Sequence, residues 1–224
     1  MRLLSVNVGR PMPVDYTDAP GGMTGIDKRP VTGPVQVSPV GPKGTAGGGV
    51  AGDAVCDRRF HGGGDRAVYA FAREDLDAWE QALGRTLANG AFGENLTTSG
   101  LDVTEALIGE RWQVGSDLVV EVTAGRIPCR TFAGWVGEQG WMKRFIEVGR
   151  TGALLRVIAP GEIRAGDPIT VVRRPDHDIT AALLLRAATT ERHLLPRTLA
   201  AAEWMESELL RVARTYTEKY GQRS

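Results

Sequence analysis

Cysteine and histidine are scarce in this 224-residue chain, which has two cysteines, Cys56 and Cys129, and three scattered histidines, His61, His177 and His193. No C-x-x-C or H-E-x-x-H spacing occurs, which excludes the common zinc sites. A chain of this length can bury a core without disulfides, so the cysteine count alone does not fix a compartment. Neither sign of charge is in excess: Lys plus Arg and Asp plus Glu each total 27. A balanced chain has no general electrostatic attraction to nucleic acid or to an anionic membrane, and neither partner is expected. No apolar run reaches membrane length, and "MRLLSVNVGR" is too short and too polar for a signal h-region. A cytoplasmic protein with reduced thiols is the expectation. "GTAGGG" at 44–49 lacks the Lys-Ser/Thr of a phosphate loop, and there is no G-x-S-x-G elbow, flavin fingerprint or iron–sulfur cysteine set.

What is present falls into two textures. From residue 1 to about 174, short β-branched runs alternate with Gly and Pro, as in an all-β sandwich or barrel. The strand candidates are "LLSVNV", "PVQVSPV", "AVYAF", "RWQVG", "LVVEVTAG", "ALLRVIAPG" and "PITVVRR". Two helices interrupt them. In "REDLDAWEQALG", Leu76, Trp79 and Leu83 share a face, and in "EQGWMKRFIEVG" Trp141, Phe145 and Val148 do the same, each run closed by Gly. These stripes read as core packing. From Asp178 to about Tyr220 the chain turns rich in Ala, Leu, Glu and Arg, with Asp178 placed to cap "ITAALLLRAA" and a stripe of Trp204, Met205, Leu209, Val212 and Tyr216. The predicted organisation is a β domain over 1–174 and a helical segment over 178–224. That segment is too small to bury its stripe alone, so it should dock on the β domain or on a second subunit in a homodimer.

Three constellations carry potential chemistry. In "DRRFHGGGDRAVY" (57–69) the glycines could form an anion-binding nest, and Arg58, Arg59 and Arg66 add forked donors. The glycines alone fit a tight turn with Asp65 and Arg66 as a surface pair; the company of His61 and the arginines favours a site. In "AFGENLTTSGL" (91–101) Gly93 offers a turn, with Glu94 and Asn95 following, and by itself this reads as a loop. In "RIPCRTF" (126–132) Pro128 interrupts the ladder just before Cys129, and the flanking Arg126 and Arg130 would favour a thiolate able to attack electrophiles or ligate a soft metal. The alternative for Cys129 is a small buried hydrophobe, the reading adopted for Cys56; a Cys129–His61 hydrolase dyad is also conceivable.

The ordered set "TGIDKRPV", "DRRFHGGGDRAVY", "FGENLTT", "IGERWQVG" and "RIPC" resembles the MOSC family, named for the C-terminal domain of molybdenum cofactor sulfurases. The likeness is greatest to the stand-alone bacterial subgroup linked to resistance against N-hydroxylated purine analogues, whose helical "3-alpha" extension "DITAALLLRAA" resembles. The resemblance implies a mainly β fold with α, a MOSC-type barrel with interspersed helices and a small C-terminal helical segment. It also implies a molybdenum cofactor (molybdopterin), with Cys129 as catalytic residue and molybdenum ligand. The cofactor-binding residues carried over are His61, Gly62, Gly63, Asp65 and Arg66 of the "HGG-x-DR" segment, Asn95 of "FGEN" and Lys28 of "TGI-x-K", with Arg59 as a candidate cation. Arg58-Arg59 stands where lysine is expected, so which of the two faces the pocket stays open. Pyridoxal phosphate is not expected.

The function expected on this resemblance is reduction of N-hydroxylated substrates such as hydroxylaminopurine, amidoximes or hydroxylamines. Electrons would come from a separate flavoprotein or iron–sulfur reductase. The alternative is a molybdopterin or persulfide-sulfur carrier without turnover of its own, and a third reading is a structural β domain with an inert cysteine.

Overall fold

The computed structural model describes residues 1–221. Twelve strands form in chain order: β1 (Arg2–Gly9), β2 (Met12–Pro13), β3 (Met23–Thr24), β4 (Lys28–Pro30), β5 (Val35–Val37), β6 (Val68–Ala72), β7 (Leu96–Ser99), β8 (Arg111–Val114), β9 (Leu118–Ala124), β10 (Ala153–Ala159), β11 (Gly161–Ile163) and β12 (Ile169–Arg173). Every run expected to be a strand contributes to one of them. Eight strands make a single sheet in the order β12-β8-β9-β10-β6-β7-β1-β4, and β11-β5 and β2-β3 are separate ribbons. All pairs in the large sheet are antiparallel except β6–β7. That parallel pair needs a crossover, which the helix α1 (Arg73–Leu83) supplies.

The mainly β fold with α expected from the resemblance is observed, with one refinement to the barrel. The sheet is not closed. The start of β1 meets the chain just before β12 at an isolated bridge between Arg2 and Pro168, reinforced by Leu3 N–H donating to Asp167 O at 2.9 Å and Ile169 N–H to Met1 O at 3.0 Å. The inner face is Val-, Leu- and Ile-rich, with Leu3, Val120, Val122 and Leu155 fully buried.

A second core is aromatic. It lies between α1, α2 (Arg130–Val136) and α3 (Trp141–Val148), and gathers Trp79, Phe92, Phe132, Trp141 and Phe145. The Trp79 and Trp141 rings stand 4.7 Å apart, and Phe132 meets Phe145 edge-on at 5.2 Å. Rings in these geometries contribute about 0.5–1.5 kcal/mol per pair beyond their area. Cys129 packs on the edge of this cluster, so buried aromatic rings back the thiol.

The remaining helices are α4 (Ala181–Thr189), α5 (Leu195–Thr198) and α6 (Ser207–Tyr220). The cap of α4 is Thr180, whose Oγ1 accepts from Leu183 N at 3.1 Å, and not Asp178 as expected. Asp178 is two positions further out and pairs with Arg197 instead. The helices dock on the sheet of the same chain. Glu206 N–H donates to Thr123 O at 3.0 Å, and the Arg173 guanidinium lies 4.8 Å over the Trp204 ring.

Candidate functional site

Strand β9 ends at Ala124, four residues before Pro128, so the chain has left the ladder well ahead of the proline. The segment from Gly125 to Pro128 carries Cys129 to the start of α2, half-buried. Burial pushes the thiol up, but interaction with the His61 imidazole and the Arg126 charge reverses this and brings it down to about 6. Arg126 is fixed on three sides: it donates to Phe92 O and lies 4.1 Å over the Phe132 ring and 4.8 Å over the Tyr69 ring. Arg130, the other expected cation, pairs with Asp18 at 2.5 Å in the cavity wall, both side chains being more than half exposed.

Lys28 belongs to a buried polar knot. Its Nζ pairs with Asp53, and Asp53 also accepts from Gly9 N at 2.8 Å and from Asn95 Nδ2 at 2.9 Å. Asn95 in turn accepts from Tyr69 N at 3.1 Å. Burial lowers the Lys28 pKa, with Arg126 adding to the effect and Asp53 opposing it. The adjacent Glu94 is fully buried and accepts from Gly90 N at 2.5 Å, Phe92 N at 3.0 Å and Thr97 Oγ1 at 2.9 Å. It braces the loop that presents Asn95. Burial raises its carboxyl pKa, partly offset by these bonds.

The glycine segment divides its residues. His61 is exposed, with Nδ1 facing Asp57 O at 3.3 Å. The expected nest is not formed at Gly63 and Gly64, because their N–H groups donate to Gly47 O at 3.1 Å and Gly41 O at 2.9 Å. The glycines instead allow two loops to touch. A Cβ at Gly62 would come within 2.7 Å of Gly47 O, and one at Gly63 within 2.6 Å of the Lys43 backbone. Asp65 and Arg66 are not a surface pair. Asp65 accepts from Arg156 at 2.8 Å and from Ser207 N at 3.0 Å, which fixes the start of α6. Arg66 donates to Phe60 O at 2.9 Å and reaches Glu206 at 3.2 Å and Glu208 at 3.4 Å. Arg59 pairs with Asp57 at 2.9 Å and donates to Asp18 O at 2.7 Å, while Arg58 donates to Thr45 O at 3.2 Å.

One cavity of about 600 Å³ gathers Lys28, Asn95, Arg126 and Cys129, with His61, Gly62 and Arg66 also in its wall. That volume suits a cofactor or a drug-sized ligand. Gly63, Asp65, Arg58 and Arg59 are not among the described lining residues, whereas Arg126, Arg130 and Arg192 are. Cys56 also lines the cavity; burial raises its thiol pKa, moderated by Lys28. Sequence reasoning missed Asp53, which has no signal beyond one acid in a glycine-rich loop, and it missed the contribution of the tail, since Glu208, Leu209 and Val212 face the same cavity.

The open sheet thus holds one cavity with a thiol of lowered pKa, lined by both basic and acidic side chains. The MOSC domain model matches residues 57–170, and the chain belongs to the MOSC family. YflK of Bacillus subtilis is 33% identical over 178 residues, covering 80% of this chain and 76% of that one. A Gibberella moniliformis protein called "Reductase" is 34% identical over 118 residues, 51% of this chain but 21% of its own. The crystal structure of YiiM from Geobacillus stearothermophilus superposes with a TM-score of 0.74 at 26% identity, covering 96% of this chain and 98% of that one. Lys28 and Asp53 lie outside the matched family segment. Among the described residues, no helix is long and apolar enough to cross a membrane.

Proposed function

We propose that the protein binds a molybdenum cofactor in this cavity and reduces N-hydroxylated compounds such as hydroxylaminopurine, amidoximes or hydroxylamines. Electrons would come from a separate flavoprotein or iron–sulfur reductase. The observation that carries the reading is the Cys129 thiol, brought down to about 6 against the effect of burial. At neutral pH it is a soft thiolate inside a cavity, the donor that molybdenum accepts.

The rest of the donor set fits the same group. Among the described residues, no three His, Cys, Asp or Glu side chains cluster to hold a metal ion. Of the two cysteines in the cavity wall, Cys129 is the one whose pKa is lowered, so it would be the protein's thiolate ligand, and further sulfur ligands would arrive on an organic cofactor. An anionic pterin phosphate and dithiolene would be held by Lys28, Arg126 and Arg66, through charge-assisted bonds. Of these, Arg126 keeps its face on two rings, and Lys28 is held by Asp53.

When bound, the metal supplies two-electron chemistry for the overall change R–NHOH + 2 e⁻ + 2 H⁺ → R–NH₂ + H₂O. Cys129 holds the cofactor. His61, in the cavity wall with Nδ1 turned to the Asp57 carbonyl, favours the thiolate form of Cys129. The family membership supports cofactor binding, and the name of the Gibberella relative supports redox chemistry.

The test is Cys129→Ser made beside the parent in cells competent for cofactor synthesis. Molybdenum and pterin content are measured first, then reductase-driven turnover of an amidoxime. The parent should hold molybdenum and pterin and turn over; Cys129→Ser should fold, lose molybdenum and lose turnover. Cofactor without turnover in the parent would point to the carrier alternative. Equal turnover by the serine variant would refute thiolate ligation.

A further inference from the structure

Four neighbouring strands carry a row of charged side chains on the face of the sheet turned toward the tail. The register places Arg173 of β12 opposite Arg111 of β8, Arg111 opposite Glu121 of β9, and Glu121 opposite Arg156 of β10. Like charges directly opposite one another on adjacent strands destabilise a sheet. Glu121 answers that repulsion in part. Its side chain is 2% exposed; it accepts from Arg111 Nε at 2.7 Å and lies 3.6 Å from Arg173 and 3.4 Å from Arg156. Asp65 pairs with Arg156 at 2.8 Å, so three guanidinium groups meet two carboxylates. No other carboxylate among the described residues pairs with Arg111 or Arg173. Their donors are also underused. Arg111 hydrogen-bonds through Nε only, and the Arg173 side chain makes no hydrogen bond among the described residues. Arg173 lies 4.8 Å over the Trp204 ring, which steadies the group without using an N–H donor. Arg111 and Arg173 are each about one-third exposed, and neither lines the Cys129 cavity.

We propose that Arg111 and Arg173 hold a phosphate-type dianion at the seam between the sheet and the tail, a binding site separate from the Cys129 cavity and independent of the reductase reading. Two guanidinium groups side by side present the forked donors that match the oxygens of a phosphate. Glu121 holds Arg111 Nε and draws Arg173 Nη1 from below, which keeps the two groups together. A dianion on the solvent side offsets the positive charge that the two carboxylates leave over. Chloride carries a single charge and has no separate oxygens to take two forks. Because Trp204 belongs to the tail, an anion that fixes Arg173 also fixes the tail on the sheet. These contacts recognise the phosphate group alone, so its source is either the free ion or a phosphate ester.

The first probe is inorganic phosphate, which replaces sodium chloride at constant ionic strength while thermal unfolding of the full-length protein is followed; calorimetric titration gives the affinities. At about ten times its dissociation constant, phosphate should raise the parent's melting temperature by about 3–6 °C. Arg173→Gln removes one fork and no hydrogen bond, so the variant should fold and should bind phosphate at least about tenfold more weakly. Lys143→Gln removes the same charge at an exposed position on α3 and should keep the parent's response. Glu121→Gln should respond in the opposite sense: with the competing carboxylate gone, phosphate should bind several-fold more tightly. An ion-pair network that serves only the fold gives no phosphate response of that sign. The proposal is overturned if the parent shows no phosphate-specific rise. It is equally overturned if Arg173→Gln shows the same rise, which would mark general salting or binding in the cavity, or if folded Glu121→Gln binds phosphate no more tightly than the parent. Should Glu121→Gln fail to fold, Arg111→Lys takes its place; it keeps the charge and loses the fork, and unchanged affinity there would overturn the proposal. The second probe is glycerol phosphate. Tighter binding than inorganic phosphate would support an ester as the source, and weaker binding would support the free ion.

Discussion

Arg66→Ala is the perturbation that most directly separates the two uses of the glycine segment. If Arg66 served only a cofactor, its loss would leave the fold intact. The structure instead makes it the partner of Glu206, whose side chain is 2% exposed and which caps α6 by accepting from Leu209 N at 2.9 Å. Removing one member of a buried pair costs about 3–5 kcal/mol, because a charge is left behind without its partner. Arg66 is itself 19% exposed, and Glu206 keeps its bond from Leu209, so the expected cost falls to about 2–3 kcal/mol. For a chain of this size that corresponds to a melting temperature lowered by about 4–12 °C. Circular dichroism melts measure it, and limited trypsin digestion should show cleavage beginning in α6. Adding Glu206→Gln to Arg66→Ala should recover part of the loss, since the stranded charge is removed. A drop below about 2 °C with unchanged digestion of α6 would refute the reasoning.

Two further predictions concern single sites. In cofactor-free protein, alkylation of Cys129 by iodoacetamide should rise through a midpoint near pH 6, since the thiolate dominates above that value. His61→Ala should move the midpoint up, whereas Cys56, raised by burial, should react only at more alkaline pH; a Cys129 midpoint near the ordinary 8.5 would refute the assignment. Gly63→Ala should cost at least about 1–3 kcal/mol in denaturant unfolding, because the residue has φ +82° and its new Cβ would strike the Lys43 backbone; a neutral result would mean the two loops separate easily.

The strands that sequence reasoning found are those with alternating β-branched residues and flanking turn signals. It missed β7, where "LTTS" is short and polar, yet the strand is paired on both edges by β6 and β1 and its Thr97 and Thr98 are buried. It missed α2 because a seven-residue helix beginning directly after Pro-Cys and containing Gly134 has too little period to detect. The thiol, the lysine and the asparagine of the site were legible as motif residues. Asp53 was not, because its role exists only through distant partners: Lys28, 25 residues away, Asn95, 42 residues away, and the Gly9 amide, 44 residues away. The contacts of Asp65 and Arg66 with the tail were not legible for the same reason: the Ser207 amide and Glu208 that they meet each lie 142 residues downstream. No local pattern records a contact of that separation.

The placement of those contacts has a consequence for how the cavity is built. His61 and Gly62 line the cavity that holds Cys129, while Asp65, three residues further on, is committed to α6 and Arg66 contributes to both. One short segment therefore couples the position of the cavity rim to the docking of the tail. Glu208 makes the coupling closer, because the Arg66 that reaches it also holds the Phe60 carbonyl next to His61. A disturbance in α6 should then be felt at the rim even where no cavity-lining residue has been changed. Conversely, a ligand that draws Arg66 toward an anion would weaken its hold on Glu206 and Glu208. Tail docking and anion binding compete for one guanidinium, so the cations free of that competition, Lys28 and Arg126, are the better anchors for a permanently bound anionic group.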